Sequence, residues 1–145
     1  ILAKTEAVLA GFDEAIFMNQ DGSISEGSGE NLFLVSDGVL HTPLVSDNNL
    51  TGITRDSAWT LAENELGLQV IERRIRRSEL YVADEVFLTG TAAHITPVGQ
   101  LDNRNIGTGD VGPVTDKLRK LYLGLIRGEH PKYSHWNTSI TPEED

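Results

Sequence analysis

Residues 24–41, with the sequence ISEGSGENLFLVSDGVLH, carry the clearest fold signal in the chain. Two largely apolar runs, 31–35 and 39–41, are separated by Ser36-Asp37-Gly38. An Asp-Gly pair between short apolar runs is typical of a β-hairpin, because these residues accept the backbone angles of a tight turn. The stretch therefore predicts two antiparallel strands, and it places the glycine-rich segment 24–31 directly before and at the start of them.

The residues before this stretch predict a helix and another hairpin. Small and apolar residues recur at helical spacing over 1–10, and Gly11 follows at a natural C-cap position. An apolar run at 15–18 and an Asp21-Gly22 turn before Ile24 then indicate a hairpin. Because the chain begins at Ile1 inside the helical pattern, without an N-cap, we expect it to be a fragment of a longer protein.

The residues after the stretch alternate between helix and strand. Apolar positions 58, 61, 62 and 66 predict an amphipathic helix that ends at Gly67. We expect strands at 70–75, 85–89 and 95–101, with Pro97 confining the last of them to an edge or bend, and a helical turn at 78–83. A helix is expected from Pro113 to Gly128, with its apolar face at positions 114, 118, 121, 122 and 125. Helices and strands interleave without a regular βαβ period. The predicted fold class is α+β, with an irregular, barrel-like β-sheet and flanking helices.

We expect one domain over 1–129 and a C-terminal tail over 130–145. A chain of 145 residues has the usual size of one compact domain. The tail contains Pro131, Pro142 and an acidic Glu-Glu-Asp terminus, a composition typical of a loosely ordered surface segment.

Composition excludes several classes of protein. Lys and Arg number 12 against 22 Asp and Glu, and the net charge of −10 is opposite to that of nucleic-acid binding proteins. The absence of cysteine excludes disulfides, zinc–thiolate sites and cysteine nucleophiles. The four histidines are scattered, so we expect no metal site. No apolar run approaches the roughly 20 residues of a membrane helix, and we expect a cytoplasmic protein.

Three segments, 24–31, 51–54 and 90–93, combine small and polar residues at the ends of predicted elements. Glycine in the first allows close approach of backbone or of a ligand. The second opens the predicted helix, whose free N–H groups, dipole and Thr54 hydroxyl favour an anion. The third follows a buried strand, and its small residues leave N–H groups accessible to a second anion. Taken singly, a polar turn, a helix N-cap and a tight turn explain the same residues.

In this order and spacing, the three segments resemble those of the C-terminal domain of the fold-type IV pyridoxal-phosphate enzymes, specifically the branched-chain amino acid aminotransferases. The similarity runs from about Glu6 to about Gly128. Five collinear motifs carry it: ISEGSGENLF at 24–33, GITRD at 52–56, LYVADEVF at 80–87, GTAAHITPV at 90–98 and GPVT at 112–115. The resemblance implies pyridoxal 5'-phosphate as the cofactor, amino acids and 2-oxo acids as substrates, and a homodimer.

The resemblance also implies which residues bind the cofactor. Glu26 is expected to bind the protonated pyridine nitrogen, a charge-assisted contact that keeps the ring electron-withdrawing. Ile53 and Thr54 are expected to hold the cofactor phosphate through helix N–H groups and the threonine hydroxyl, and Thr91 to add another hydroxyl. Leu50 is expected to pack on the ring.

Neighbouring residues complete this implied site. The backbone N–H groups of Ala92 and Ala93, next to Thr91, are expected to receive the α-carboxylate of the substrate. Glu30 and Asn31 are expected to complete the cofactor-binding set by supporting the residues around the ring.

Two features depart from the family pattern. His94 stands where many relatives carry glutamate, beside the carboxylate turn, and we interpret it as a surface histidine. The family's Schiff-base lysine belongs upstream of Ile1, and Lys4 lies too close to Gly11 to replace it. We therefore expect no catalytic lysine within the chain, an absent N-terminal domain and no activity of the chain alone.

The predicted function is transamination of branched-chain amino acids with 2-oxoglutarate, by a complete enzyme of which this chain is the C-terminal, cofactor-binding domain. D-Amino acid aminotransferase and aminodeoxychorismate lyase are the alternatives within the fold. A non-catalytic half-domain that binds the cofactor or a partner protein is the alternative from another class.

Overall fold

The computed structural model describes residues 1–138 and residue 140. Its α-helices are α1 (Leu2–Leu9), α2 (Ile53–Leu66), α3 (Arg77–Val82) and α4 (Pro113–Ile126), and 3₁₀ helices span Val45–Asp47 and Pro131–Trp136. The strands are β1 (Ile16–Met18), β2 (Ile24–Gly27), β3 (Asn31–Ser36), β4 (Val39–Thr42), β5 (Val70–Glu72), β6 (Glu85–Gly90), β7 (His94–Pro97), β8 (Gln100–Leu101) and β9 (Arg104–Asn105). Within the described residues, every helix is too short or too polar to span a bilayer.

Five strands form the main sheet, in the order β5-β4-β3-β6-β7. β4 and β5 run parallel, and the other neighbours are antiparallel. The pairs β1-β2 and β8-β9 form separate sheets. The predicted α+β class is confirmed. The predicted barrel-like sheet is wrong for the described residues, because β5 and β7 are the edges of an open sheet, and strand order depends on long-range pairing that a pattern of elements does not reveal.

β3 and β6 pair over five residues at the centre of the main sheet. Phe33 and Phe87 lie directly opposite each other, and their buried rings stack with centroids 5.1 Å apart. Because side chains alternate across a sheet, each face of this pair builds its own core. The face with the two rings packs on α2 and α4, and the other face packs on β2 and α3.

The two long helices agree with the prediction. α2 is followed by Gly67, a C-cap in the left-handed conformation, and α4 begins at Pro113, where a missing N–H breaks no helical hydrogen bond. The apolar side chains that they bury lie at predicted apolar positions: Ala58, Leu61 and Ala62 from α2, and Leu118, Tyr122 and Leu125 from α4.

Strand boundaries differ from the prediction in two places. The strand predicted at 70–75 ends at Glu72 as β5. The strand predicted at 95–101 is divided into β7 and β8, because Pro97 ends β7, which is an edge strand as expected. The two-residue strand β9 lacks an apolar pattern that would predict it.

The segment 131–136 differs from the loosely ordered tail that the sequence predicts. Tyr133 is buried in the core beside α2. Its hydroxyl donates to Glu65 Oε1 at 2.7 Å, and Lys132 forms an ion pair with the same oxygen at 2.6 Å. A single buried aromatic residue thus orders a stretch whose composition is otherwise that of a loop. Residue 139 and residues 141–145 of the predicted tail lie outside the described residues.

Glu85 joins α4 to the central strand pair. Its buried carboxylate accepts hydrogen bonds from the N–H groups of Val114 (2.9 Å) and Thr115 (2.7 Å) and from the Thr115 hydroxyl (2.6 Å). The first turn of a helix leaves such donors without partners, and the N-cap residue of α4, Gly112, has no side chain to bind them. A Cβ on Gly112 would lie 2.1 Å from Glu85 Cδ, so glycine also makes room for the carboxylate.

We expect Glu85→Gln to lower the free energy of unfolding by about 1–3 kcal/mol, because one neutral carbonyl replaces a charged acceptor that binds three donors. Urea denaturation measures the change. Glu63→Gln, on the exposed surface of α2, is the control and stays within about 0.5 kcal/mol of the parent. Equal stability of the two variants would show that Glu85 does not cap α4.

Candidate functional site

A network of three residues holds the first predicted segment at the start of β3. Glu26 Oε2 accepts the Leu50 N–H at 2.9 Å and the side-chain amide of Asn31 at 3.3 Å. The same amide donates to the Leu50 carbonyl at 2.6 Å. Among the described residues, Glu26 Oε1 has no hydrogen-bond partner. The carboxylate is thus fixed through one oxygen, and the other is available to a ligand.

Gly52 brings the second segment against this network. It is the N-cap residue of α2, and a Cβ on it would lie only 2.3 Å from Asn31 Oδ1. The two elements approach this closely because glycine has no side chain. Leu50 is 71% exposed and Ile53 is 84% exposed. Two exposed apolar side chains therefore lie on the segment that holds Glu26 and begins α2.

The first turn of α2 contains the residues predicted to bind phosphate. Ile53 and Thr54 are its first two residues, and no side chain in the described part of the chain caps the turn. Its N–H groups are therefore available to an external acceptor. Thr54 is buried, and its Oγ1 lies 3.4 Å from the hydroxyl of Tyr122.

Arg55, the next residue of the same motif, anchors α2 to the sheet. It is buried, with its guanidinium 5.4 Å from the Trp59 ring centroid and 3.3 Å from Glu72 Oε1. It also donates to the Pro43 carbonyl at 3.3 Å. Arg55 thus helps to position the first turn of α2. The sequence does not predict this role, because the residues next to Arg55 in the chain do not distinguish it from a surface arginine.

The third predicted segment forms the turn between β6 and β7. Gly90 pairs with His94, and residues 91–93 form the loop between them. His94 has a φ of +55°, the left-handed conformation that commonly closes a three-residue hairpin loop. Among the described residues, the N–H groups of Ala92 and Ala93 donate no hydrogen bond. Two free donors in consecutive positions suit an oxygen of a carboxylate or phosphate.

Gly90 also brings this turn next to the glycine-rich segment. A Cβ on Gly90 would lie 3.1 Å from the Gly29 carbonyl oxygen and 3.2 Å from Glu30 Cγ. Asn31 and Thr89 are directly paired in the sheet, which holds the two segments in register. The segments 24–31, 51–54 and 90–93 therefore meet at one end of the β3–β6 pair.

Glu30 and Glu14 form an acidic pair beside the glycine-rich segment. Glu30 Oε2 accepts the Gly29 N–H at 3.0 Å, and Glu14 forms an ion pair with Lys4 at 2.6 Å. Burial, reinforced by the nearby Glu14, raises the pKa of Glu30. Burial acts to raise the pKa of Glu14 as well, but hydrogen bonds, first of all from Lys4 and Ser28, lower it to about 2. Glu14 therefore loses its proton at a lower pH than Glu30, which keeps its proton to a higher pH than an ordinary glutamate.

His94 does not lie on the open surface. Its ring centroid is 5.9 Å from that of Tyr122, and its buried Nδ1 has no hydrogen-bond partner among residues 1–138 and 140. The interpretation of His94 as a surface histidine is wrong, because β7 packs against α4 and encloses one side of the ring. In the described part of the chain, no group of His, Asp and Glu side chains has an arrangement that would hold a metal ion.

Comparison with known proteins identifies relatives of the chain. Over residues 1–101, the chain matches the family model described as amino-transferase class IV. It is 51% identical over 139 residues to a probable branched-chain-amino-acid aminotransferase of Aquifex aeolicus and 47% identical over 140 residues to a branched-chain-amino-acid aminotransferase of Pseudomonas aeruginosa. These alignments cover 96% and 97% of this chain but 45% of each relative. The chain therefore spans less than half the length of the curated relatives it matches.

The chain is also similar to solved structures of branched-chain amino acid aminotransferases. The T.th. branched-chain amino acid aminotransferase complexed with N-(5'-phosphopyridoxyl)-L-glutamate has a TM-score of 0.93 at 50% identity, covering 97% of this chain and 47% of that one. The enzyme from Thermobaculum terrenum in its PLP form has a TM-score of 0.91 at 42% identity, covering 94% and 45%. The resemblance carried by the five sequence motifs is confirmed.

We expect Gly52→Ala to lower the free energy of unfolding by about 1–3 kcal/mol, because the new methyl group must displace the Asn31 amide. Gly29→Ala is the matched control, since no atom lies within 4 Å of a Cβ placed there. Its stability stays within about 0.5 kcal/mol of the parent. Thermal or urea unfolding measures both variants, and a Gly52→Ala variant as stable as the control would contradict the close approach of α2 to Asn31.

Proposed function

The chain belongs to the amino-transferase class IV family, and on that premise we propose that it is the C-terminal, cofactor-binding domain of a pyridoxal-phosphate-dependent branched-chain amino acid aminotransferase. The complete enzyme exchanges an amino group between a branched-chain amino acid and 2-oxoglutarate. The observation that carries the proposal is the meeting of the Glu26 carboxylate, the uncapped first turn of α2 and the β6–β7 turn at one end of the β3–β6 pair. The branched-chain enzymes among the similar proteins support the substrate class.

The residues present fit pyridoxal 5'-phosphate at its polar groups. When bound, this cofactor supplies an electron-withdrawing ring that stabilises negative charge at the α-carbon of the substrate. The ring nitrogen requires an acidic partner, which Glu26 Oε1 provides. The phosphate requires several donors, which the N–H groups of Ile53 and Thr54 and the hydroxyls of Thr54 and Thr91 provide. The T.th. enzyme's complexes with a phosphopyridoxyl compound and with pyridoxamine 5'-phosphate support the same cofactor here.

Glu26 holds a proton on the ring nitrogen. Its negative charge favours the protonated form of a nearby base. The Leu50 N–H and the Asn31 amide hold Oε2, so the carboxylate meets the ring with little loss of side-chain freedom. Leu50, whose side chain is exposed, would provide an apolar surface for the ring. Glu30 and Asn31 keep the glycine-rich segment in place through their contacts with Gly29 and Leu50.

The turn between β6 and β7 binds the substrate. The free N–H groups of Ala92 and Ala93 receive its α-carboxylate, and their methyl side chains leave room for it. Thr91, in the same turn, would offer its hydroxyl to the cofactor phosphate. The substrate and the cofactor phosphate thus bind to neighbouring sets of backbone donors.

The lysine that carries the cofactor and moves the α-proton belongs, in this proposal, to a part of the enzyme outside this chain. Lys4 forms an ion pair with Glu14, which supports a different role for it. That the chain spans 45% of its curated relatives supports a second, N-terminal domain in the complete enzyme. On this proposal the chain alone does not turn over substrate, and the complete enzyme is a cytoplasmic homodimer.

Assays of the full-length product of the gene that encodes this chain test the substrate class. We expect amino transfer from leucine to 2-oxoglutarate, and much slower reaction with D-alanine and with aminodeoxychorismate. Preferred turnover of D-alanine would assign the protein to D-amino acid aminotransferases instead, and preferred cleavage of aminodeoxychorismate would assign it to the lyases.

In the same full-length protein, we expect Glu26→Gln to lower kcat with leucine by about 100-fold or more, because the ring nitrogen loses its charged partner. Glu63→Gln, which changes an exposed carboxylate on α2, serves as the control and leaves kcat unchanged. Steady-state assays with saturating pyridoxal phosphate measure both. Unchanged turnover of Glu26→Gln would refute the role assigned to Glu26.

A further inference from the structure

Tyr122 contacts one of the three segments that form the candidate site and the residue that directly follows another of them. It lies on α4 and is 8% exposed. Its hydroxyl is 3.4 Å from Thr54 Oγ1 in the first turn of α2, and its ring centroid is 5.9 Å from that of His94 at the end of the β6–β7 turn. None of the five sequence motifs includes Tyr122, and the apolar pattern of α4 predicts only that this residue is buried.

The two hydroxyl groups share one hydrogen bond, so its direction matters for an anion. Each hydroxyl has one proton to donate and lone pairs to accept. When Tyr122 donates to Thr54, the proton of Thr54 remains free to point toward an oxygen outside the pair. When Thr54 donates to Tyr122, that proton is consumed. An anion at the first turn of α2 selects the first arrangement, because only a donor stabilises it.

His94 fixes the place of the Tyr122 ring. The planes of the two rings are inclined by 47°, and the contact is made from a residue with a left-handed backbone. Tyr122 therefore contacts α2 through Thr54 and β7 through His94. Tyr122 thus links the turn that presents Thr91 to the turn that presents Thr54.

We infer that Tyr122 is a positioning residue for the cofactor phosphate: its hydroxyl donates to Thr54 Oγ1 and thereby directs the Thr54 hydroxyl toward a phosphate at the first turn of α2. This inference rests on the proposed function. Tyr122 acts through Thr54 and does not touch the cofactor itself.

Pyridoxal, which lacks the phosphate, separates this role from simple packing. The ratio of the Kd of pyridoxal to that of pyridoxal phosphate measures how strongly the full-length gene product recognises the phosphate. We expect Tyr122→Phe to reduce this ratio by about 3- to 10-fold, through weaker binding of pyridoxal phosphate alone. The ring remains in Tyr122→Phe, so a packing role would leave the ratio unchanged.

Two further variants test whether Tyr122 acts through Thr54. Thr54→Val removes the hydroxyl that Tyr122 orients, and we expect it to reduce the ratio by about tenfold or more, since it loses a hydrogen bond to a charged group. The double variant Thr54→Val with Tyr122→Phe then shows the ratio of Thr54→Val alone, because residues that act through one contact are not additive. Tyr133→Phe, which removes another buried tyrosine hydroxyl bonded to Glu65, is the control that leaves the ratio unchanged.

The outcomes distinguish this inference from the proposed function. If the parent protein binds both compounds equally, the phosphate site of the proposed function is wrong and the inference falls with it. If the parent prefers pyridoxal phosphate but Tyr122→Phe keeps the full ratio, the inference alone is overturned. Additive effects of Thr54→Val and Tyr122→Phe, or no effect of Thr54→Val, overturn it equally.

Discussion

The pairing of β3 with β6 is the interaction on which the rest of the structure depends. It joins strands that are far apart in sequence and stacks Phe33 on Phe87 at its centre. A shift of this register by one residue would turn every side chain of one strand to the opposite face, so both cores require it. At one end of the pair, Glu85 caps α4. At the other end, Asn31 lies opposite Thr89 and the candidate site begins.

The position of the candidate site at one end of the β3–β6 pair explains why it contains Gly52 and Gly90. Backbone from three segments must converge on one end of two adjacent strands. A side chain at Gly52 would collide with Asn31, and one at Gly90 would crowd Gly29 and Glu30. The same crowding holds Glu26 through the Asn31 amide. The backbone donors that have no partner among the described residues therefore lie in the first turn of a helix and in a short turn between paired strands, where the sheet positions them for a small charged cofactor.

Local rules predict the elements of this protein, and they do not predict how the elements meet. The Asp-Gly turns and apolar spacing predict both hairpins, α2 and α4, and the collinear motifs predict most of the site segments. The open order of the main sheet is not predictable in this way, because it depends on pairing between distant strands. Glu85 caps a helix 29 residues further along the chain, and Tyr133 orders a segment of loop composition. His94 and Tyr122 acquire their roles only when β7 packs on α4. The contacts of Glu85, Tyr133, His94 and Tyr122 are each made by one side chain with a residue distant in the chain, so they produce no periodic pattern in the sequence.

We propose that this chain supplies the cofactor half of an aminotransferase site. A crystal structure of the full-length gene product grown with pyridoxal 5'-phosphate tests this proposal most directly. We expect the pyridine nitrogen within hydrogen-bond distance of Glu26 and the phosphate at the first turn of α2, in contact with Thr54 and Thr91. A phosphate bound elsewhere, or a ring nitrogen remote from Glu26, would contradict it.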